Sequence, residues 1–237
     1  MRRTVAALLA ATLATACSAG ASTPSGPRIT VLAAASLTEA FEDLGRGAAV
    51  TFSFAGSQQL VAQVGAGAPV DVVATADPDA MDRLARAGLV NTPRTFAANR
   101  LTIAVRSGNP ERIQGLADLA RDGLKVVLAD PAVPAGRYAR QVLERAGVRV
   151  RPVSLELDVK AVARKVAAGE ADAGIVYTTD VAAGSAVAIP DASNVVATFP
   201  VAVVRASTDR AAAEAFVDRL LGQPGRAALS ARGFLLP

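Results

Sequence analysis

The sequence predicts an α/β fold with a mostly parallel sheet, on three observations. Short apolar runs of strand length alternate with longer runs whose apolar residues recur three or four apart, the period of an amphipathic helix. The turns between them carry Ser, Gly, Pro and Asp, which end strands and open helices. The chain, at 237 residues, is long enough for one or two domains with a substantial core.

The first elements are not part of that fold. Arg2 and Arg3, the apolar run Val5–Ala14 and the small residues before Cys17 predict a secretory signal over 1–16, too short to span a membrane. Cys17 is the only cysteine, and its place at the end of the signal favours lipidation, with plain cleavage and secretion the alternative. Residues 17–27, rich in Ser, Gly and Pro, make a flexible tether. Strands are then expected at Ile29–Ala33, Val50–Phe54, Asp71–Thr75, Leu101–Val105, Lys125–Ala129, Ala173–Thr178 and Val195–Val204. Helical faces are marked by Leu37, Phe41 and Leu44; by Leu60, Val61 and Val64; and by Met81, Leu84 and Ala87. Further along they are marked by Tyr138, Val142, Leu143 and Ala146, by Val159, Val162, Ala163 and Val166, and by Ala212, Ala215, Phe216 and Leu220. Asn99–Val105 and Asn194–Val204 are extended and loosely punctuated, as crossings between two lobes would be. Lobe one would then be discontinuous, 28–100 plus 202–237, around a lobe two at 101–201.

Composition removes much chemistry. Without a histidine there is no Ser-His-Asp or Cys-His triad, and a zinc site lacks its usual ligands. Lysine occurs only at 125, 160 and 165, never three residues after a serine, and there is no phosphate-binding GxxxxGK[ST] loop. Asp71, Asp77 and Asp79 do not match a calcium loop and are expected as strand-end and helix-cap carboxylates. The sequence therefore argues against an enzyme and against a cofactor; Asp158 and Glu156 are the only general bases near the turns described next. Of 25 basic residues, removing Arg2 and Arg3 leaves 23 against 21 acidic, or +2. With no basic stripe interleaved with aromatics, nucleic acid is not an expected partner.

What remains is a set of turns at helix starts. Ser36 opens the first helix, and Phe54-Ala55-Gly56-Ser57 leads into the second. Asp130-Pro131-Ala132-Val133-Pro134-Ala135-Gly136 and Leu157-Asp158-Val159 lead into two more. Each offers unpaired backbone N–H groups at the positive end of a helix dipole. In open α/β sheets ligands bind at the carboxyl ends of strands, where these turns lie. Neutral donors converging there suit a compact oxyanion, since a buried anion is tolerated only when richly hydrogen-bonded. Tyr177, one of two tyrosines, ends a strand and could offer its hydroxyl or fill the core.

Taken together, these blocks resemble the periplasmic molybdate-binding proteins of ABC transporters. The matching runs are Ile29-Thr30-Val31-Leu32-Ala33-Ala34-Ala35-Ser36-Leu37, Phe54-Ala55-Gly56-Ser57, Gly67-Ala68-Pro69-Val70-Asp71-Val72 and Val133-Pro134-Ala135-Gly136-Arg137-Tyr138-Ala139. Asp158-Val159, Gly174-Ile175-Val176-Tyr177 and Pro200-Val201-Ala202-Val203-Val204 complete them in family order. The resemblance implies a two-lobed periplasmic-binding-protein fold of type II, each lobe a mixed sheet flanked by helices, with the ligand cleft between lobes. It implies that Ser36 and Ser57 donate from lobe one, that Ala135 and Val159 donate backbone N–H from lobe two, and that Tyr177 donates its hydroxyl. The metal would be held as its oxyanion, molybdate or tungstate, never as a free cation. The expected partners are a membrane-embedded permease and, through Cys17, the membrane; the protein would act as an extracytoplasmic monomer. The alternative is capture of another solute, such as sulfate or a small organic acid.

Overall fold

The computed structural model describes residues 28–237. The expected signal over 1–16, Cys17 and the tether over 17–27 lie outside the described residues. Nine strands and seven α-helices are present among the described residues. The strands are β1 (Ile29–Ala34), β2 (Val50–Ala55), β3 (Val72–Ala74), β4 (Arg94–Val105), β5 (Val126–Ala129), β6 (Ser154–Glu156), β7 (Ala173–Tyr177), β8 (Ala186–Ala188) and β9 (Val196–Val203). The helices are α1 (Thr38–Gly45), α2 (Ser57–Gly65), α3 (Pro78–Arg86), α4 (Pro134–Arg145), α5 (Val159–Ala167), α6 (Arg210–Leu221) and α7 (Gln223–Ala231).

The helix starts follow from their sequence. Asp77, Asp158 and Asp209 each cap a helix by accepting from the N–H three residues on, at 2.6, 2.8 and 3.1 Å. Proline at the first or second position begins α3, α4 and α7, where its missing N–H costs nothing. In β1 the alternation of strand side chains is visible: Val31 and Ala33 enter the larger core, while Leu32 packs on the other face with Leu60, Val64, Met81 and Leu84 of α2 and α3.

The strands run in the order β2-β1-β3-β9-β4-β7-β5-β6, with β8 also on β4. The pairings are not mostly parallel. Four are parallel (β1 with β2 and β3, β5 with β6 and β7), and four are antiparallel, all of them made by β4 or β9. The parallel pairs come from strand–helix–strand units. The antiparallel ones arise because β9 lies between β3 and β4 and β4 continues past it to β7 and β8, which apolar periodicity does not encode.

Strand β4 belongs to both halves. Up to Arg100 it pairs with β9; from Leu101 it pairs with β7, and from Thr102 with β8. Two buried asparagines fill the point where it changes partner. Asn194 accepts from the N–H of Leu101 and of Val195 and donates to the carbonyls of Leu101 and Ile189. Asn99 accepts from the Thr178 hydroxyl at 2.7 Å and donates to Thr179 Oγ1 at 2.8 Å. Without these side chains the backbone groups at the change of partner would be buried and unpaired. Strand β9 pairs with β3 and β4 from Val196 onward, so the chain has rejoined the first sheet by that residue.

Candidate functional site

Turns from the two halves meet around a small cavity. Its walls include Ser36, Gly56, Ser57, Ala135, Asp158, Val159 and Tyr177, so the structure brings together all five residues singled out as donors. All five are buried. Among the described residues no lysine or arginine lines this cavity, and its one carboxylate is Asp158.

Each of the five arrives differently. Ser36 sits inside a 3-10 turn, Ala35–Leu37, and its side chain caps no helix. Its Oγ is buried with no hydrogen-bond partner among the described residues, and the same is true of the Tyr177 hydroxyl at the end of β7. A buried hydroxyl without a partner costs about 1–3 kcal/mol, so two of them facing one cavity mark a polar ligand position. Burial raises the Tyr177 pKa well above its usual value, so the group is a hydroxyl donor and not a phenolate. Ser57 opens α2 one residue after its N-cap, Gly56. Its Oγ accepts from the N–H of Ala76 at 3.0 Å, which leaves its own proton to donate. Ala135 and Val159 lie in the first turns of α4 and α5, whose N–H groups have no intrahelical acceptor. The Asp158 carboxylate is engaged as the cap of α5. Glu156 does not line the cavity; it bonds Ser154 and Lys165, both at 2.6 Å.

Contacts across the cleft surround this cavity, and sequence reasoning missed them. Gln58 Nε2 donates to the Leu157 carbonyl at 2.9 Å. Arg137 of α4 pairs with the buried Asp77 that caps α3. Lys160, next to Val159, pairs with Glu39 of α1 at 2.7 Å and with Asp180 at 3.1 Å. The pairs that bridge the cleft, Gln58–Leu157, Asp77–Arg137 and Glu39–Lys160, lie 60 to 121 positions apart, a separation no local pattern reports.

The Asp180 side chain is wholly buried and has no well-directed hydrogen bond despite Lys160. Burial pushes its carboxyl up from 3.8 to about 7, and the Lys160 ammonium only partly offsets this. The folded protein therefore holds that proton more firmly than the unfolded chain. The associated stability is complete below the unfolded value, near pH 4, and is lost as pH rises toward 7. Asp180→Asn is expected to flatten that fall, as read from denaturant midpoints between pH 4.5 and 7.5; an unchanged slope would show that Asp180 does not titrate there.

The family model described as bacterial extracellular solute-binding protein matches residues 29–235. The molybdate-binding protein ModA of Mycobacterium tuberculosis is 39% identical over 249 residues, covering 98% of this chain and 95% of that protein. ModA of Escherichia coli is 30% identical, covering 88% and 89%. Among solved structures, the periplasmic molybdate-binding protein of Azotobacter vinelandii superposes with a TM-score of 0.76 at 23% identity, covering 89% of this chain and all of that one. The sulfate-binding protein SubI of Mycobacterium tuberculosis gives 0.72 at 22%, covering 88% and 86%. At those identities the superpositions show a shared periplasmic-binding-protein fold, as expected from the sequence.

Proposed function

The chain belongs to the bacterial extracellular solute-binding proteins, and we propose that it captures molybdate, and tungstate with it, for delivery to an ABC permease. One observation carries this reading: a small cavity in which two partnerless hydroxyls, a third with its proton to spare and the first turns of three helices converge without a positive side chain. Such a site satisfies the oxygens of a small tetrahedral anion by hydrogen bonds alone. Cations would instead bring a mobile, salt-sensitive attraction for any anion. The likeness to ModA proteins supports the choice of anion.

In this reading Ser36 and Ser57 bind from lobe one, Ala135 and Val159 from lobe two, and Tyr177 donates from the end of β7. The first crossing lies where the sequence suggests, between lobe one at 28–100 and a lobe two that begins at 101. The return crossing is drawn back to Asn194–Val195, where Asn194 bridges to Leu101. An anion held from both sides favours the closed arrangement, and capture is that shift in population. Selectivity over sulfate comes from fixed donors, since a smaller ion cannot reach both walls at once. The protein acts as a monomer on the outer side of the cell membrane, tethered through Cys17. It needs no cofactor and catalyses nothing, because the one carboxylate in the cavity is engaged as a helix cap.

The test is the melting temperature of residues 28–237 with molybdate, tungstate, sulfate and phosphate added separately. A ligand bound only by the folded state stabilises it by about 2.7 kcal/mol at one hundred times its Kd. A rise with molybdate and tungstate and none with sulfate is expected. A rise with sulfate alone moves the assignment to that anion.

A further inference from the structure

Among the described residues no lysine or arginine lines the anion cavity, yet two cations stand just behind its walls, and both reach across the cleft. Arg137 is two residues beyond Ala135 in α4, and Lys160 directly follows Val159 in α5. The carboxylates they meet are set as close to the donors of the other wall. Asp77 follows Ala76, whose N–H donates to Ser57 Oγ at 3.0 Å. Glu39 is three residues beyond Ser36. The Arg137–Asp77 pair therefore ties Ala135 to Ser57, and the Lys160–Glu39 pair ties Val159 to Ser36.

The two pairs differ in what opening would take from them. Asp77 is buried and accepts from the Ala80 N–H of its own wall at 2.6 Å. Burial pushes its carboxyl above the ordinary value, and the Ala80 N–H and the Arg137 guanidinium pull it back. The cation that pairs with it comes from the opposite wall, so closure without that cation would leave a buried carboxylate short of a partner. Glu39 is more exposed and holds Lys160 Nζ through both oxygens, at 2.7 and 2.8 Å. Lys160 keeps a second carboxylate, Asp180, at 3.1 Å on its own side of the cleft. Opening thus removes one of its two acceptors.

We propose that Arg137 and Glu39 are positioning residues for capture: the Arg137–Asp77 and Lys160–Glu39 pairs form as the walls meet, hold the donors of opposite walls in register around the anion, and so set how slowly it leaves. This rests on the capture reading above. A charge that drew the anion in from solution would act on its rate of arrival. Here each cation faces a carboxylate and stands outside the cavity, which leaves little field for a free anion. An ion pair made only on closure is absent when the anion meets the open walls, so it acts on departure.

The experiment compares the purified protein with its Arg137→Gln and, separately, its Glu39→Gln variant. Neither residue lines the cavity, and Glu39→Gln keeps the Lys160–Asp180 pair. Release of labelled molybdate into an excess of unlabelled anion gives the off-rate, calorimetric titration gives the Kd, and the two together give the on-rate. The off-rate is expected to rise roughly tenfold or more in Arg137→Gln, where a buried carboxylate loses its partner. It is expected to rise about threefold in Glu39→Gln, where the lost pair is more exposed. On-rates are expected to stay within about twofold of wild type in both. Wild-type off-rates in both variants overturn the proposal. So does an on-rate that falls in Arg137→Gln and rises in Glu39→Gln at constant off-rate, which would make these charges act by attraction. If Arg137→Gln melts lower without anion, Glu39→Gln on the separate pair decides by the same comparison of rates. If the wild type does not bind molybdate, the capture reading itself fails, and the positioning role falls with it.

Discussion

Gly56→Ala is expected to leave the fold intact and to weaken anion capture between about fivefold and 150-fold, the equivalent of the roughly 1–3 kcal/mol that overpacking costs. The backbone of Gly56 is extended, with φ of −63° and ψ of 142°, a conformation alanine adopts freely. A Cβ there would stand 2.4 Å from the Leu157 carbonyl, far inside van der Waals contact. The Gln58 amide is also close, but it ends a flexible side chain and can turn away. Leu157 is backbone on the opposite wall. The clash therefore exists only when the walls are together, and it acts on closure instead of folding. The check is a pair of measurements: the melting temperature without anion, expected unchanged, and the molybdate Kd, expected to rise. A lower melting temperature with an unchanged Kd would mean that Gly56 serves folding alone.

Tyr177→Phe is expected to move stability and affinity in opposite directions. Without anion the hydroxyl is buried and partnerless, so its removal leaves the protein as stable or more stable. The ring keeps its edge-to-face packing on Phe199, with centroids 5.6 Å apart. With the anion present, a hydrogen bond to a charged acceptor is lost, about 1.5–3 kcal/mol or roughly 10- to 150-fold in Kd. Ser36→Ala should behave alike, for the same reason. Chemical denaturation of the free protein together with calorimetric titration separates the two effects. A destabilised free protein with full affinity would place the hydroxyl in the scaffold instead of the site.

How much of this was legible in the sequence depended on how local each feature is. The turns that carry Ser36, Ser57, Ala135 and Val159 were visible because a strand, a short polar turn and a helix are contiguous in the chain. Strands β6 and β8 were missed: at three residues each, Ser154–Glu156 and Ala186–Ala188 are too short to show a period. Helix α7 was missed because Pro224 and Gly225 in its first turn have the composition of a loop. Ser36 was expected to cap its helix, but it lies inside a 3-10 turn, which leaves its hydroxyl free for the cavity. Asp180 was hidden for another reason. Nothing in Val176-Tyr177-Thr178-Thr179-Asp180 marks one carboxyl for complete burial; that follows from the packing of α5 and its Lys160 against the turn.

Because β4 supplies strands to both sheets, neither half owns a complete set of strands. Cutting the chain at residue 100 would part β9 from both of its partners, β3 and Arg94–Arg100 of β4, while β7 and β8 keep Leu101–Val105, so each fragment would carry an unpaired edge. Such fragments would seek strands from each other or from copies of themselves. The two halves are therefore not interchangeable modules: a chimera that grafts one half from a relative must carry over the whole of Arg94–Val105 and preserve its register with both sets of neighbours.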